Sequence, residues 1–257
     1  RRLLHTAVSL PAVWKFKDIM DRFGGIIQFT WYFPACRREA AGQPQCCGLP
    51  ARSCRERGET AFCPSFNHLV TLVKSGVIGD VVDVKTSLSK MVSAPTRELD
   101  VVQAGGAMNE HAPLALMAII KLLGKEYSDF DFHSKVENGV DVYTKVVLNY
   151  PHATSSATLG IGVKTEGNMV ISGTKGYVYV PAPWWLTSFF EVRYEDQAKN
   201  KKFFYSYDGD GLRYEIQEFM SMIVNHRKSS YKLRRRDSVT VAEIIEKFNL
   251  RENYKEI

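Results

Sequence analysis

Glu110 and His111 stand side by side where a helix should begin. They follow Gly105-Gly106 and open a long apolar run that ends at Leu123-Gly124. A carboxylate and an imidazole are residue types suited to general acid–base work, because a histidine near its working pKa can take or return a proton. The helix start adds backbone N–H groups that point outward and favour negative charge. The same residues have a plain structural use, since a carboxylate in a first turn stabilises a helix without any catalytic duty.

The elements that must position these groups follow from periodicity. Residues 66–75 place Phe66, Leu69, Val70, Leu72 and Val73 on one helical face and stop at Lys74-Ser75-Gly76. Val81 to Lys90 alternates and is β-branched, so it reads as a strand. A helix over 106–123 follows. Further strands are expected over 140–150, 153–163, 168–172, 177–180, 189–194 and 202–207. Leu212 to Val224 reads as a helix with Ile216, Phe219, Met220 and Ile223 as its apolar positions, and Ser238 as the cap of a last helix over 239–248. Successive strands without helices between them predict an α+β domain. Its sheet is mostly antiparallel and open, with helices over one face.

Residues 1–65 differ. They hold ten Lys/Arg against five Asp/Glu, so most of the net charge of +6 belongs to them. Residues 12–23 fit a helix, Gly24-Gly25 its stop, and residues 26–33 a strand. From Ala35 to Cys63 neither period is found. That stretch reads as a disordered linker, or as a segment in a different reading frame from the rest. All five cysteines fall there, at irregular gaps and with no histidine between them, which argues against a zinc site. No metal is expected. Arg234-Arg235-Arg236 is the one tight basic cluster and reads as a solvated run, so no nucleic-acid partner is expected. No run is long and apolar enough to cross a bilayer, and the chain is expected to be soluble and cytoplasmic.

Three segments combine into a resemblance. Phe66-Asn67-His68-Leu69-Val70 with Lys74-Ser75-Gly76-Val77-Ile78-Gly79-Asp80-Val81 looks like the entry to a second domain. Gly105-Gly106-Ala107-Met108 with Leu122-Leu123-Gly124 looks like its Gly-Gly helix. Gly173-Thr174-Lys175-Gly176-Tyr177-Val178 looks like its hairpin. In order and spacing these resemble the Gfo/Idh/MocA oxidoreductases, relatives of glucose–fructose oxidoreductase and inositol dehydrogenase, over about residues 64–250.

The resemblance implies an N-terminal Rossmann domain that binds NAD or NADP. It also implies a C-terminal α+β domain that shapes a pocket for a sugar-like substrate and forms homo-oligomers through its sheet. The reaction it implies is hydride transfer from a sugar or cyclitol hydroxyl, in which the nicotinamide takes the hydride, a histidine the proton, and a lysine steadies the alkoxide. On this reading residues 1–65 are an incomplete remnant of the dinucleotide-binding domain, and 66–257 the substrate and oligomerisation domain. Glu110 falls where the family has Asp, Ala112 where it has Gly, and Leu114 near its histidine, so His111 becomes the substitute base.

Two family features are missing. No Gly-x-Gly-x-x-Gly occurs near the N-terminus, and Tyr32-Phe33-Pro34 keeps the proline of a Glu-Lys-Pro motif without its lysine. The chain thus reads as truncated at its start, with an impaired activity; the alternative is a catalytically inactive oligomerisation or scaffold module. Trp184 and Trp185, in a rigid Pro-rich loop, are candidates to stack on a sugar ring, or else a hydrophobic clasp. Tyr214, at the opening of the helix over 212–224, is a further candidate substrate contact.

Overall fold

A helix that is apolar on every side must be covered on every side. The 17 residues Ala107–Leu123 form such a helix, and thirteen of them are buried. The rest of the domain is arranged around it. The structure, a computed structural model, describes residues 59–93, 95–207 and 211–257. The helix and strand expected over 12–33, Pro34, the stretch up to residue 58 and four of the five cysteines lie outside the described residues.

In chain order the elements are α1 (Glu59–Phe62), α2 (Pro64–Lys74), β1 (Val81–Ser89), α3 (Ala107–Leu123), β2 (Asp129–Glu137), β3 (Val140–Asn149) and β4 (Thr154–Gly160). Then come β5 (Met169–Gly173), β6 (Tyr177–Val180), β7 (Phe189–Arg193), β8 (Lys201–Phe204), α4 (Leu212–Val224), α5 (Arg235–Asn249) and β9 (Tyr254–Glu256). The nine strands form one sheet in the order β8-β7-β6-β5-β1-β4-β3-β2-β9. Pairings β1–β4 and β2–β9 are parallel and the other six antiparallel, so the sheet is mixed with an antiparallel majority.

Register decides which residues face the helices. Val84, Ile171, Val178 and Val192 lie in line across β1, β5, β6 and β7, and all are fully buried. One residue along, Lys85, Val170, Tyr179, Glu191 and Lys202 line the opposite face. Helix α3 packs on β1, β3 and β4, and α5 packs on α3. At one end of the sheet Phe248 of α5 meets Phe132 of β2, ring centroids 5.4 Å apart. At the other, His68 of α2 meets Phe203 of β8 edge-on at 5.3 Å. The helices thus cover one face.

The hairpin Gly173-Thr174-Lys175-Gly176 holds the turn before β1. Thr174 Oγ1 accepts from Asp80 N at 3.1 Å, and Lys175 N donates to the Ile78 carbonyl at 2.8 Å. Two of the three family-like segments are therefore spatial neighbours.

Several expectations need correction. The last helix begins at Arg235 with Arg234 in the extended cap position, and Ser238 lies buried inside it. The strand expected over 202–207 is Lys201–Phe204. Strands β2 and β9 were not anticipated. Helix α4 points its expected apolar face outward, with Ile216 52% and Met220 42% exposed.

Candidate functional site at the start of the central helix

The start of α3 is held by a carboxylate from a strand. Asp141, in β3, accepts a hydrogen bond from Met108 N at 2.8 Å and another from Thr144 Oγ1 at 2.6 Å. Ser134 of β2 extends the group, its hydroxyl 2.9 Å from that of Thr144. Met108 is the second residue of α3, so Asp141 satisfies one of the helix's unpaired N–H groups from 33 residues away. Gly106 leaves the room this requires. Its φ is 122°, and a Cβ there would collide with Asp141 Oδ1. Burial is the main influence on Asp141 and raises its pKa from 3.8 to about 6; the bonds from Thr144 and Met108 pull it back only in part.

A second carboxylate, Glu110, faces the preceding loop. It is 7% exposed, and its Oε1 accepts from Arg97 Nη2 at 2.5 Å. Arg97 opens a short 3₁₀ turn, Arg97–Leu99. The loop closes on itself through Gly106 N to the Glu98 carbonyl and Gly105 N to the Asp100 carbonyl, each 2.9 Å. Asn109 Nδ2 adds bonds to the carbonyls of Ala104 and Gly105, at 3.2 and 3.3 Å. A shallow, open depression of about 520 Å³ lies over this loop, lined by Thr96, Arg97, Asp100, Gln103 and Asn138 among others. Its walls carry a guanidinium, a carboxylate, two amides and a hydroxyl, the groups that pair with hydroxyl-rich molecules.

His111 is half-buried and follows Glu110 directly in α3. The contacts of the other candidates run elsewhere. Tyr214 packs edge-on against Tyr207 at 6.0 Å, and Tyr207 OH lies 2.7 Å from Ser65 Oγ. Trp184 is fully buried, and its Nε1–H donates to the Ser87 carbonyl at 2.9 Å, so as packed it offers no exposed face. Trp185 is half-buried, edge-on to Trp184 at 6.3 Å, and its carbonyl accepts from Thr60 Oγ1 at 2.7 Å. The structure thus groups Glu110, His111, Arg97 and Asp141 around the start of α3. Asp141 and Arg97 escaped the sequence reading. An acid inside the run Val140-Asp141-Val142-Tyr143-Thr144 was the available signal for the first.

No family model matches the chain. Trans-1,2-dihydrobenzene-1,2-diol dehydrogenase of Oryctolagus cuniculus is 26% identical over 196 residues, covering 73% of this chain and 59% of the relative. The human enzyme of that name is 25% identical over 197 residues, covering 73% and 58%. The chain therefore spans less than two thirds of the length of these relatives. A 3-ketoreductase from Actinomadura kijaniata, in complex with TDP-benzene and NADP, superposes with a TM-score of 0.62 at 15% identity, over 78% of this chain and 61% of that one. The aldose-aldose oxidoreductase of Caulobacter crescentus, complexed with glycerol, gives 0.64 at 17% identity, over 75% and 59%. The described residues share their fold with these oxidoreductases, with α3 laid on the nine-stranded open sheet.

A nicotinamide dinucleotide does not fit what the described residues provide. Such a cofactor needs a glycine-rich turn between a parallel strand and a helix, with the helix N-terminus on the pyrophosphate. Among the described residues, the glycine pair that feeds a helix is Gly105-Gly106, and there the Asp141 carboxylate already occupies the helix N-terminus. A pyrophosphate would meet a carboxylate in its place. Among the described residues there is no cluster of three or more His, Cys, Asp or Glu suited to a metal, and no helix long and apolar enough to cross a membrane.

Proposed function

We propose that this chain carries the substrate-side domain of an NAD(P)-dependent oxidoreductase lineage, one whose members remove hydride from a hydroxyl of a sugar, cyclitol or related diol. The observation that carries this reading is the start of α3. There Glu110, which His111 follows in the helix, is held by Arg97, and Arg97 lines a depression that carries hydroxyl-pairing groups. On this reading Glu110, fixed by Arg97, orients the substrate hydroxyl, and His111 takes its proton. The nicotinamide would accept the hydride, and the described residues offer no cradle for it. Cofactor binding would then rest on residues outside 59–257, and redox turnover by this chain is impaired. Titration of the full chain with NADH and NADPH, followed by nicotinamide fluorescence, tests this directly. Absence of binding at about millimolar concentration would end the redox reading for this chain.

A second reading is favoured by the open face of the sheet. Glu191 there joins Arg193 at 2.5 Å and Lys202 at 3.4 Å, and Arg193 lies over the ring of Tyr179 at 5.0 Å. Such a flat, polar and aromatic face suits contact with a second copy of the chain, which would make the domain an oligomerisation module. A monomeric hydrodynamic mass at micromolar concentration would exclude it.

A further inference from the structure

The start of α5 carries the wrong charge for a helix start. Arg234 stands at its cap position, Arg235 and Arg236 open its first turn, and Arg234 makes no side-chain cap bond. A helix N-terminus is partially positive, so cations gathered there oppose the dipole. The fold adds two more. Lys74 ends α2, and Lys121 lies in the last turn of α3. Helix α3 packs against both α2 and α5, and each lysine is repelled by Arg234, with Lys74 also acting on Lys121 and Arg236 on Lys74. Partial desolvation is the main influence that lowers the pKa of each lysine; Arg234 lowers both further, while Asp237 raises both. Asp237 Oδ1 lies 3.7 Å from Arg236 Nε. Within this group one carboxylate therefore faces four cations. The loop leading into α5 is fixed in place. Arg227 and Lys232 are neutralised by the buried Glu218, at 3.1 and 3.3 Å, and Lys121 Nζ donates to the Tyr231 carbonyl at 3.3 Å.

We propose that Lys74, Lys121, Arg234 and Arg236 form a binding site for a compact phosphate-bearing anion with two or more charges. Such a ligand offsets the surplus of positive charge and relieves the repulsion among the four side chains. It also gives the start of α5 the negative partner that a helix N-terminus favours. Guanidinium groups pair with two phosphate oxygens at once, and ammonium groups add point charge. The cations converge from three helix ends. A nucleic-acid strand would instead need them strung along a groove. Lys121 lies eleven residues beyond Glu110 on α3, roughly 16 Å along the axis, so this site is separate from the one at the start of that helix. The inference is independent of the redox reading.

Lysine acetylation of the full chain, read peptide by peptide by mass spectrometry, tests it with inorganic pyrophosphate as the probe. Saturating pyrophosphate should slow acetylation of Lys74 and Lys121 about tenfold and leave Lys202, on the open sheet face, unchanged. Arg234→Gln, with an unchanged urea midpoint, should weaken pyrophosphate binding about tenfold by calorimetry, and Lys202→Gln should not. Equal affinity for pyrophosphate and a nucleoside diphosphate would support recognition of the phosphates alone; tighter binding of the nucleotide would support a phosphate carried on a small molecule. Unprotected Lys74 and Lys121, equal protection of Lys202, unchanged affinity in Arg234→Gln, or tighter binding of a single-stranded oligonucleotide than of either diphosphate would overturn the proposal.

Discussion

The carboxylate of Asp141 sits over the first turn of α3 and accepts the Met108 N–H at 2.8 Å, so a strand residue acts as the helix cap. Gly106 at the cap position has no side chain to offer, and α3 has no side-chain cap of its own. The arrangement ties the sheet to the central helix at the point where Glu110 and His111 emerge.

Asp141 should give the domain a distinct pH signature. Burial lifts its pKa from 3.8 to about 6, against the pull of Thr144 and Met108, so the folded state favours the protonated form. Its contribution to stability is whole below about pH 3.8 and is lost as pH rises through about 6. Asp141→Asn keeps an acceptor oxygen for Met108 and removes the titration. Urea unfolding at pH 4 and pH 7 should show the native chain losing on the order of 2–3 kcal/mol relative to this variant. Parallel pH profiles for the two proteins would refute the assignment.

Gly106→Ala should be costly. The residue has φ 122°, and its new Cβ would strike the Asp141 carboxylate. Strain and a displaced cap together should remove about 2–3 kcal/mol. The double variant Gly106→Ala/Asp141→Ala should cost less than the sum of the two single changes, because the collision goes with the carboxylate. Additive costs would mean that the two residues do not meet.

Much of this arrangement was legible in the sequence and some was not, for reasons of range. Strand β1 declares itself by alternation and helix α3 by the length of its apolar run after Gly105-Gly106, and both signals are local. Strand β2 was missed because Asp129-Phe130-Asp131-Phe132-His133-Ser134 alternates with charged partners, and only Phe132 and Ser134 of these are buried. Ser238 misled because serine favours cap positions, yet the chain turned helical at Arg235. Glu218 reads as a surface residue until Arg227, Ser230 and Lys232 are seen to enclose it. Asp141 gains its role only through register, which sets it under a helix formed 33 residues earlier.

Removing Arg97 should reveal how Glu110 is tolerated. The guanidinium is 16% exposed and the carboxylate 7%, so the pair is largely out of water. Arg97→Met leaves Glu110 buried without its guanidinium and should cost about 3 kcal/mol in urea unfolding. Arg97→Met/Glu110→Met should recover most of that loss, because the buried charge goes with its partner. A double variant as unstable as the single one would show that Arg97 acts through packing of its stem.

Leu116→Ala tests whether α3 is the organising element. Leu116 is fully buried on a helix that packs on β1, β3 and β4 and against α5. Deleting three heavy atoms there should cost about 3 kcal/mol, with the upper end near 5 where the surroundings fail to close on the cavity. The loss should appear as a lower urea midpoint with an unchanged slope, since the same surface is exposed on unfolding. The helix lies between the sheet and α5, so collapse from either side is obstructed, and the cost should exceed that of Met222→Ala on α4. The reverse order would mean that the domain is organised from α4 and that α3 is the more forgiving layer.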